Sequence, residues 1–266
     1  MLPKKISFVG VGQMSSAILR KLVLIESVTY RIYDPFPSPV YKELNELKNV
    51  DSFKTGQEAI ETSDMVIVGV KPHHMKDVLS GLQFENQIIV SIAAGITTAT
   101  LNKWARKNVV RVMPNTPALL GLGTSVIYCN VQNPLAREWT TWMCSSVSLV
   151  VKEVENEDLM DAVTALSGSG PAYLFYLTEL MVQSGIEMGL DKETSKALAI
   201  GTIQGSSKML DLKDPATLRK QVTSPNGTTH AAIESFKADH LDVIIKKGLL
   251  AAQKRGYELG QEFAKL

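Results

Sequence analysis

The sequence predicts two domains of different class: an α/β domain on a mostly parallel sheet over residues 1–155, then an all-α domain over residues 156–266. Three observations predict it. Up to about residue 155, short β-branched runs alternate with helical segments, the pattern of parallel strands joined by crossover helices. From about Glu157 onward the strand-like runs vanish and long helical periodicity takes over. A glycine turn, Gly10-Val-Gly12-Gln-Met-Ser15, stands between the first strand and the first helix.

The expected strands are Lys5–Val9, Val28–Tyr33, Met65–Val70, Gln87–Ile92, Val109–Met113, Thr124–Cys129 and Leu149–Val151. Between them lie the helical stretches Gln13–Ile25, Val40–Lys48, Ala99–Lys107 and Leu135–Ser145. The later strands follow one another more closely, so the sheet is expected to end in a mixed or antiparallel part. In the second domain the periodicity gives helices over Leu159–Met188, Lys192–Leu210, Pro215–Val222, Thr229–Phe236 and Leu241–Leu259. Gly189 and Gly260 read as helix stops, Asp191 and Asp214 as N-caps. This half is rich in Ala, Leu, Gly and Met, and small residues let helices pack closely, as in a bundle or an intertwined dimer.

Composition narrows the function. The chain has 266 residues, of which 45% are hydrophobic and 21% charged, enough for two buried cores. A formal net charge of +1 and the lack of a Lys/Arg cluster give no case for nucleic acid or an anionic membrane surface. Cys129 and Cys144 match no metal spacing and imply no disulfide framework, which fits a reducing compartment. Met1-Leu-Pro-Lys-Lys5 leads directly into a strand with no apolar signal segment, and the apolar runs are too short or too interrupted to span a bilayer. A cytoplasmic protein is the expectation.

The glycine turn has the context of a dinucleotide fingerprint, G-x-G-x-x-G/A, so the first domain reads as nucleotide-binding. Gly10 allows the tight turn and Gly12 lets backbone approach a pyrophosphate, while Ser15 stands where Gly or Ala is usual. A simple glycine turn is the competing reading. Asp34, at the tip of the second strand, follows at roughly the 20-residue distance of a ribose-binding carboxylate. Its charge would repel a 2′-phosphate, which tilts the choice toward NADH; a plain turn residue before Pro35 is the alternative. Lys71-Pro72, Ala93-Ala94-Gly95 and Pro114-Asn115-Thr116-Pro117 each follow a strand, where ligands of parallel sheets sit. Lys71 suits the ribose or nicotinamide, the small Ala93–Gly95 run admits the cofactor against backbone, and Asn115 offers donor and acceptor to a carboxamide or ribose. Loop chemistry accounts for each one separately; together they point to one crevice.

In the helical half, Ser224-Pro-Asn-Gly227-Thr228-Thr229 runs straight into a helix. Hydroxyls and a glycine at that point leave backbone N–H groups pointing outward, and with the helix dipole they suit a small carboxylate. An ordinary N-cap is the bland alternative. Asp161–Tyr173 carries Gly168, Gly170 and Pro171 inside a helical pattern, which reads either as a kink or close approach, or as an interhelical loop. His73 and His74 are adjacent and do not share a helix face, and His230 and His240 are isolated, so no metal is assigned.

Taken in order, Gly10–Met14, Val70-Lys71-Pro72, Ser91–Gly95, Met113–Pro117, Asp161–Tyr173 and Ser224–Thr229 resemble the blocks of the pyrroline-5-carboxylate reductases over essentially the whole chain. The last two are the most specific. The resemblance implies a Rossmann-like domain followed by an interlocking helical dimerisation domain, with a homodimer or a larger ring of dimers. It implies reduction of 1-pyrroline-5-carboxylate to L-proline with NADPH or NADH, the last step of proline biosynthesis. Carried over, Gly10, Gly12, Gln13 and Met14 would line the pyrophosphate, and Val70, Lys71, Pro72, Ala93 and Ala94 the ribose and nicotinamide. Thr228 and Thr229 would hold the substrate carboxylate, with Ser224 and Gly227 shaping that turn and Thr229 also reaching the ring nitrogen as the catalytic residue. Glu157 and Gln221 match positions near substrate, and Glu157 would face the cationic nitrogen or the product amine. Gly56 stands where an asparagine is frequent and Ser15 where alanine is, both of which bear on cofactor preference. A related imine or hydroxy-acid reductase and a non-catalytic cofactor-binding regulator are the alternatives; a hydroxy-acid enzyme would want a lysine or histidine acid in the helical half, and none stands out.

Overall fold

A computed structural model describes residues 2–37 and 39–266. Among them, eight strands form one sheet: β1 (Lys5–Val9), β2 (Thr29–Tyr33), β3 (Val50–Ser52), β4 (Met65–Val68), β5 (Ile88–Ser91), β6 (Val109–Met113), β7 (Gly123–Tyr128) and β8 (Ser148–Glu153). The helices are α1 (Gln13–Leu22), α2 (Pro39–Asn45), α3 (Gly56–Ile60), α4 (Met75–Ser80), α5 (Thr98–Ala105), α6 (Pro134–Ser145), α7 (Met160–Val163), α8 (Gly170–Glu187), α9 (Lys192–Met209), α10 (Pro215–Gln221), α11 (Thr228–Ala238) and α12 (Leu241–Ala264).

The sheet order is β3-β2-β1-β4-β5-β6-β7-β8. All neighbours run parallel except β6 and β7, so the expected mixed end is an antiparallel pair followed by a parallel edge strand. The order reverses between β1 and β4, which opens the ligand crevice of this fold beyond their carboxyl ends. Every residue of β4 and β5 is buried because helices cover both faces. Alternation sorts the side chains. Ile6, Phe8, Ile67, Val90 and Val112 pack on one face with Ile18, Leu19 and Leu22 of α1 and Trp139 and Met143 of α6. Val9, Val66, Val68 and Ile89 pack on the other with Met75 and Leu79 of α4 and Leu101 and Trp104 of α5. Both cysteines are free and buried, and burial pushes the Cys144 thiol up to about 12, far from a reactive thiolate.

The chain divides into two compact units, the first holding residues up to Ser169 with Ala251–Leu266, the second Gly170–Leu250. Residues 157–169 and the end of α12 therefore belong with the sheet, beyond a cut at residue 155. The physical reason is close packing: a Cβ on Gly260 would lie 3.3 Å from Gly95 O, and one on Gly256 would lie 3.2 Å from Asp161 Oδ1. Gly260, expected as a helix stop, instead lies inside α12 and lets it approach the loop after β5. The breaker segment resolves into a π-turn over Thr164–Gly168, closed by Ser169 N donating to Thr164 O at 2.8 Å.

In the helical unit, the expected caps are in place. Asp191 accepts from Thr194 N and Asp214 from Thr217 N, both at 3.0 Å. Gly189 closes α8 with a φ of +100°. Gly185 of α8 faces Ser195 of α9, whose hydroxyl donates to Val182 O at 2.6 Å.

Candidate active site

The glycine turn after β1 is built for an anion. Gly10 has a φ of +88°, its N–H donates to Tyr33 O at 2.8 Å, and a Cβ on it would lie 2.5 Å from Val70 N. Only glycine fits. Gly12, the N-cap of α1, has nothing within 4 Å of where a Cβ would be, and no side chain caps the helix. The N–H groups of Gln13 and Met14 thus open the helix toward free space, as a pyrophosphate requires. Exposed Gln13 and half-buried Met14 flank that end. The cradle fits a dinucleotide on backbone geometry alone.

Asp34 lies at the tip of β2, with Oδ2 accepting from Val11 N at 2.6 Å and Oδ1 from Phe36 N at 2.8 Å. The carboxylate ties the glycine turn to the β2 loop. Beside it a cavity of about 370 Å³ is lined by residues that include Tyr33, Phe36, Gly56, His74 and Asp77. His74 stacks on Phe36 with ring centroids 4.6 Å apart and on His73 at 4.1 Å, giving the two histidines a packing role at the cavity wall.

At the end of β4, Val70 is buried against the glycine turn, Lys71 is exposed, and Pro72 opens a 3₁₀ turn over Pro72–His74. Here sequence reading missed Gly69. A Cβ there would lie 2.0 Å from Ser15 Oγ, so Ser15 is tolerated in the fingerprint because residue 69 has no side chain. Ser15 Oγ is buried without a hydrogen-bond partner. Beyond β5, Ala93 is buried and Ala94 half-buried, but the smallness of Gly95 answers to α12, since a Cβ would lie 3.1 Å from Leu259 Cβ.

Two expected ligand residues have other partners in the structure. Asn115 is buried, its Nδ2 donating to Ser167 O at 3.1 Å and its Oδ1 accepting from Thr124 N at 2.8 Å. It holds the π-turn to β7 rather than presenting its amide to a carboxamide. Glu157 accepts from Thr98 N and Thr98 Oγ1 at 2.6 Å each and pairs with Arg111 at 3.1 Å. It staples the start of the 157–169 segment to α5 and β6 instead of facing a cationic substrate. Asp161 lies 3.9 Å from the same Arg111, and burial raises its carboxyl above the usual range despite that neighbour. The signal for this staple was Arg111 itself, a lone charge within the apolar strand Val109-Val-Arg-Val-Met113.

In the helical unit, Ser224–Gly227 forms a turn in which Gly227 N donates to Ser224 O at 3.1 Å. Pro225 at its second position and Asn226 with a φ of +61° at its third make it type II. Gly227 caps α11 without any side-chain hydrogen bond. The N–H groups of Thr228 and Thr229 are left without an intrahelical acceptor, on exposed residues. Gln221, also exposed, ends α10 just ahead of this turn. The structure thus gathers Gly10, Gly12, Gln13, Met14, Asp34 and Val70 around one crevice of the sheet unit, and Gln221, Ser224, Gly227, Thr228 and Thr229 along one short segment of the helical unit.

The comparisons with known proteins agree with both halves. Residues 157–259 match the family model described as pyrroline-5-carboxylate reductase dimerisation, and residues 5–95 match NADP oxidoreductase coenzyme F420-dependent. A pyrroline-5-carboxylate reductase of Pseudomonas aeruginosa is 39% identical over 98% of this chain and 99% of its own length. The chain belongs to the pyrroline-5-carboxylate reductase family. Among solved structures, the reductase of Coxiella burnetii superposes with a TM-score of 0.86 at 29% identity, covering 96% of this chain and 97% of that one. The Plasmodium falciparum reductase with NADP bound gives 0.83 at 27% identity, with 96% and 98% covered.

As a member of this reductase family, the chain is an NAD(P)H-dependent oxidoreductase. The family assignment also gives the helical region, from residue 157, its role as a dimerisation domain. Among the described residues, no helix is long and apolar enough to cross a membrane.

Proposed function

We propose that this chain reduces 1-pyrroline-5-carboxylate to L-proline, and that its substrate carboxylate is anchored at the N-terminus of α11. The observation that carries the anchoring is the open helix end: a type II turn, a glycine N-cap and two threonines with free N–H groups. Such an end binds a carboxylate through backbone donors and the helix dipole. When bound, the nicotinamide supplies the hydride for the imine carbon. The chain's own groups then have positioning to do. The N–H groups of Thr228 and Thr229 fix the carboxylate, and the Thr229 hydroxyl donates to the neutral imine nitrogen or, once that nitrogen is protonated, accepts from its N–H and so orients the ring. Gly10, Gly12, Gln13 and Met14 hold the pyrophosphate, while Val70, Lys71, Pro72, Ala93 and Ala94 set the ribose and nicotinamide. Ser224 and Gly227 keep the turn, and Gln221 borders it. A protonated imine is already electrophilic, so the reaction asks for orientation rather than a strong acid.

Residues 156–266 serve as the substrate-binding and dimerisation domain in this reading, with a homodimer or a ring of dimers as the working form. Leu174, Phe175, Tyr176 and Leu177 on α8 are all exposed, a run of apolar surface that a second copy would cover. The test is direct: purified chain is mixed with 1-pyrroline-5-carboxylate and NADH or NADPH, and loss of nicotinamide absorbance is followed alongside L-proline formed. Equal amounts of cofactor oxidised and proline made are expected. No turnover with either cofactor would overturn this reading and leave a reductase of another substrate or the non-catalytic regulator.

A further inference from the structure

We infer that Asp34 and the cavity beside it select a dinucleotide that lacks a 2′-phosphate, so that this chain works with NADH. The inference rests on the dinucleotide cradle described above and concerns the far end of the cofactor, where no chemistry occurs.

An ionised Asp offers about four acceptor sites on its two oxygens. In Asp34 one site on each oxygen is filled, by Val11 N at 2.6 Å and by Phe36 N at 2.8 Å. One site per oxygen remains, which matches the two hydroxyl donors of an unmodified adenosine ribose. A 2′-phosphate removes one of those donors and places a second anion beside the first.

The surroundings offer that phosphate no compensation. The cavity is lined by Pro35, Thr55, Gln57, Val78, Gly81 and Leu82 besides the five residues named earlier, with no lysine or arginine among them. Its charged wall residue is an acid, Asp77. Arg31, on the strand that leads to Asp34, has its guanidinium turned to the carbonyls of Ala59 and Glu58, at 2.7 and 2.6 Å, and stacked over Phe53 at 3.9 Å. The entry to α3 is closed by its own capping box: Thr55 Oγ1 accepts from Glu58 N and Glu58 Oε2 accepts from Thr55 N, both at 3.2 Å. The one basic side chain on the wall is His74, and its ring lies against Phe36 and His73. Discrimination thus comes from a present anion and absent cations together.

The test separates this inference from the reaction itself, because it uses cofactor fragments and no imine. Binding of ADP-ribose and of 2′-phospho-ADP-ribose to the full chain is measured by titration calorimetry. ADP-ribose is expected to bind at least about tenfold more tightly. Asp34→Asn keeps an oxygen to accept from Val11 N while removing the charge, and it should shrink the ratio severalfold. Phe36→Arg, which leaves the Asp34 carboxylate alone, should shrink it as well by adding a cation to the wall. Equal or tighter binding of the 2′-phosphate by the unaltered chain overturns the inference. So does binding of neither fragment, or a ratio that both variants leave unchanged. A chain that shows the selection yet fails to reduce 1-pyrroline-5-carboxylate would sink the proposed reaction and leave the selection standing.

Discussion

The sheet unit and the helical unit use their polar groups in opposite ways. In the sheet unit the polar side chains are tied to protein: Asp34 accepts from two backbone N–H groups and keeps one acceptor site per oxygen, Asn115 is held by Ser167 and Thr124, and Glu157 by Thr98 and Arg111. What is left open there is backbone, at Gly12 and the first turn of α1. At the start of α11 the turn is tied by one backbone bond, and no side chain closes the helix end. The difference teaches that the sheet unit is held by internal staples and offers a ligand only backbone N–H groups and the free acceptor sites of Asp34. The substrate half presents donors with nothing yet to donate to.

The sharpest way to break the first half of that contrast is Arg111→Ala. It strands Glu157 and Asp161 with no cation, and losing one partner of a buried ion pair costs about 3–5 kcal/mol. Thermal unfolding should show this as a large drop in melting temperature; a drop within a degree or two would mean the staple does not hold the unit. Next in size is Gly69→Ala, which overlaps Ser15 Oγ and should cost about 1–3 kcal/mol. Ser15→Ala in the same chain should restore most of that loss, a coupling that chemical denaturation of the double-mutant cycle would measure. Additive effects would show that the two positions do not compete for one space.

On the substrate side, Thr229→Ala should lower kcat/KM by more than about tenfold, equivalent to roughly 1.4 kcal/mol of transition-state binding, with the melting temperature unchanged. Intact kinetics would remove Thr229 from the site. The smallest effect concerns pH. Hydrogen bonds from Thr194 and Thr217 hold the Asp191 and Asp214 carboxyls below the usual range. A depressed value means that the stabilisation is complete above the unfolded value near 4 and is lost as pH falls through the depressed one. Melting temperature should therefore fall in that acid window, and Asp191→Asn with Asp214→Asn should flatten the slope.

Much of this was legible in the sequence because periodicity and caps act locally. The strand runs at Lys5–Val9 and Val109–Met113 and the caps Asp191, Asp214 and Gly189 stand where pattern put them. β3 was missed because Val50-Asp-Ser52 has one buried residue and no alternation to read. α3 and α4 were missed because five and six residues are too few to show a helical period. Gly260 misled because a glycine inside α12 serves packing on Gly95 rather than termination. Asn115 and Glu157 carried the right chemistry for ligands, but only coordinates reveal that Thr124, Ser167, Thr98 and Arg111 already occupy them. The reciprocal fit of Ser15 and Gly69 is likewise invisible until distant segments meet.

The central claim, that the acid is gripped by the open end of α11 while the nucleotide lies on the glycine cradle, is tested most directly by a crystal structure with NAD⁺ and L-proline. Its proline carboxylate should accept from the N–H groups of Thr228 and Thr229, with the pyrophosphate at Gly12 and Gln13. A carboxylate bound elsewhere, to Lys71 for instance, with the α11 end facing bulk water, would contradict it.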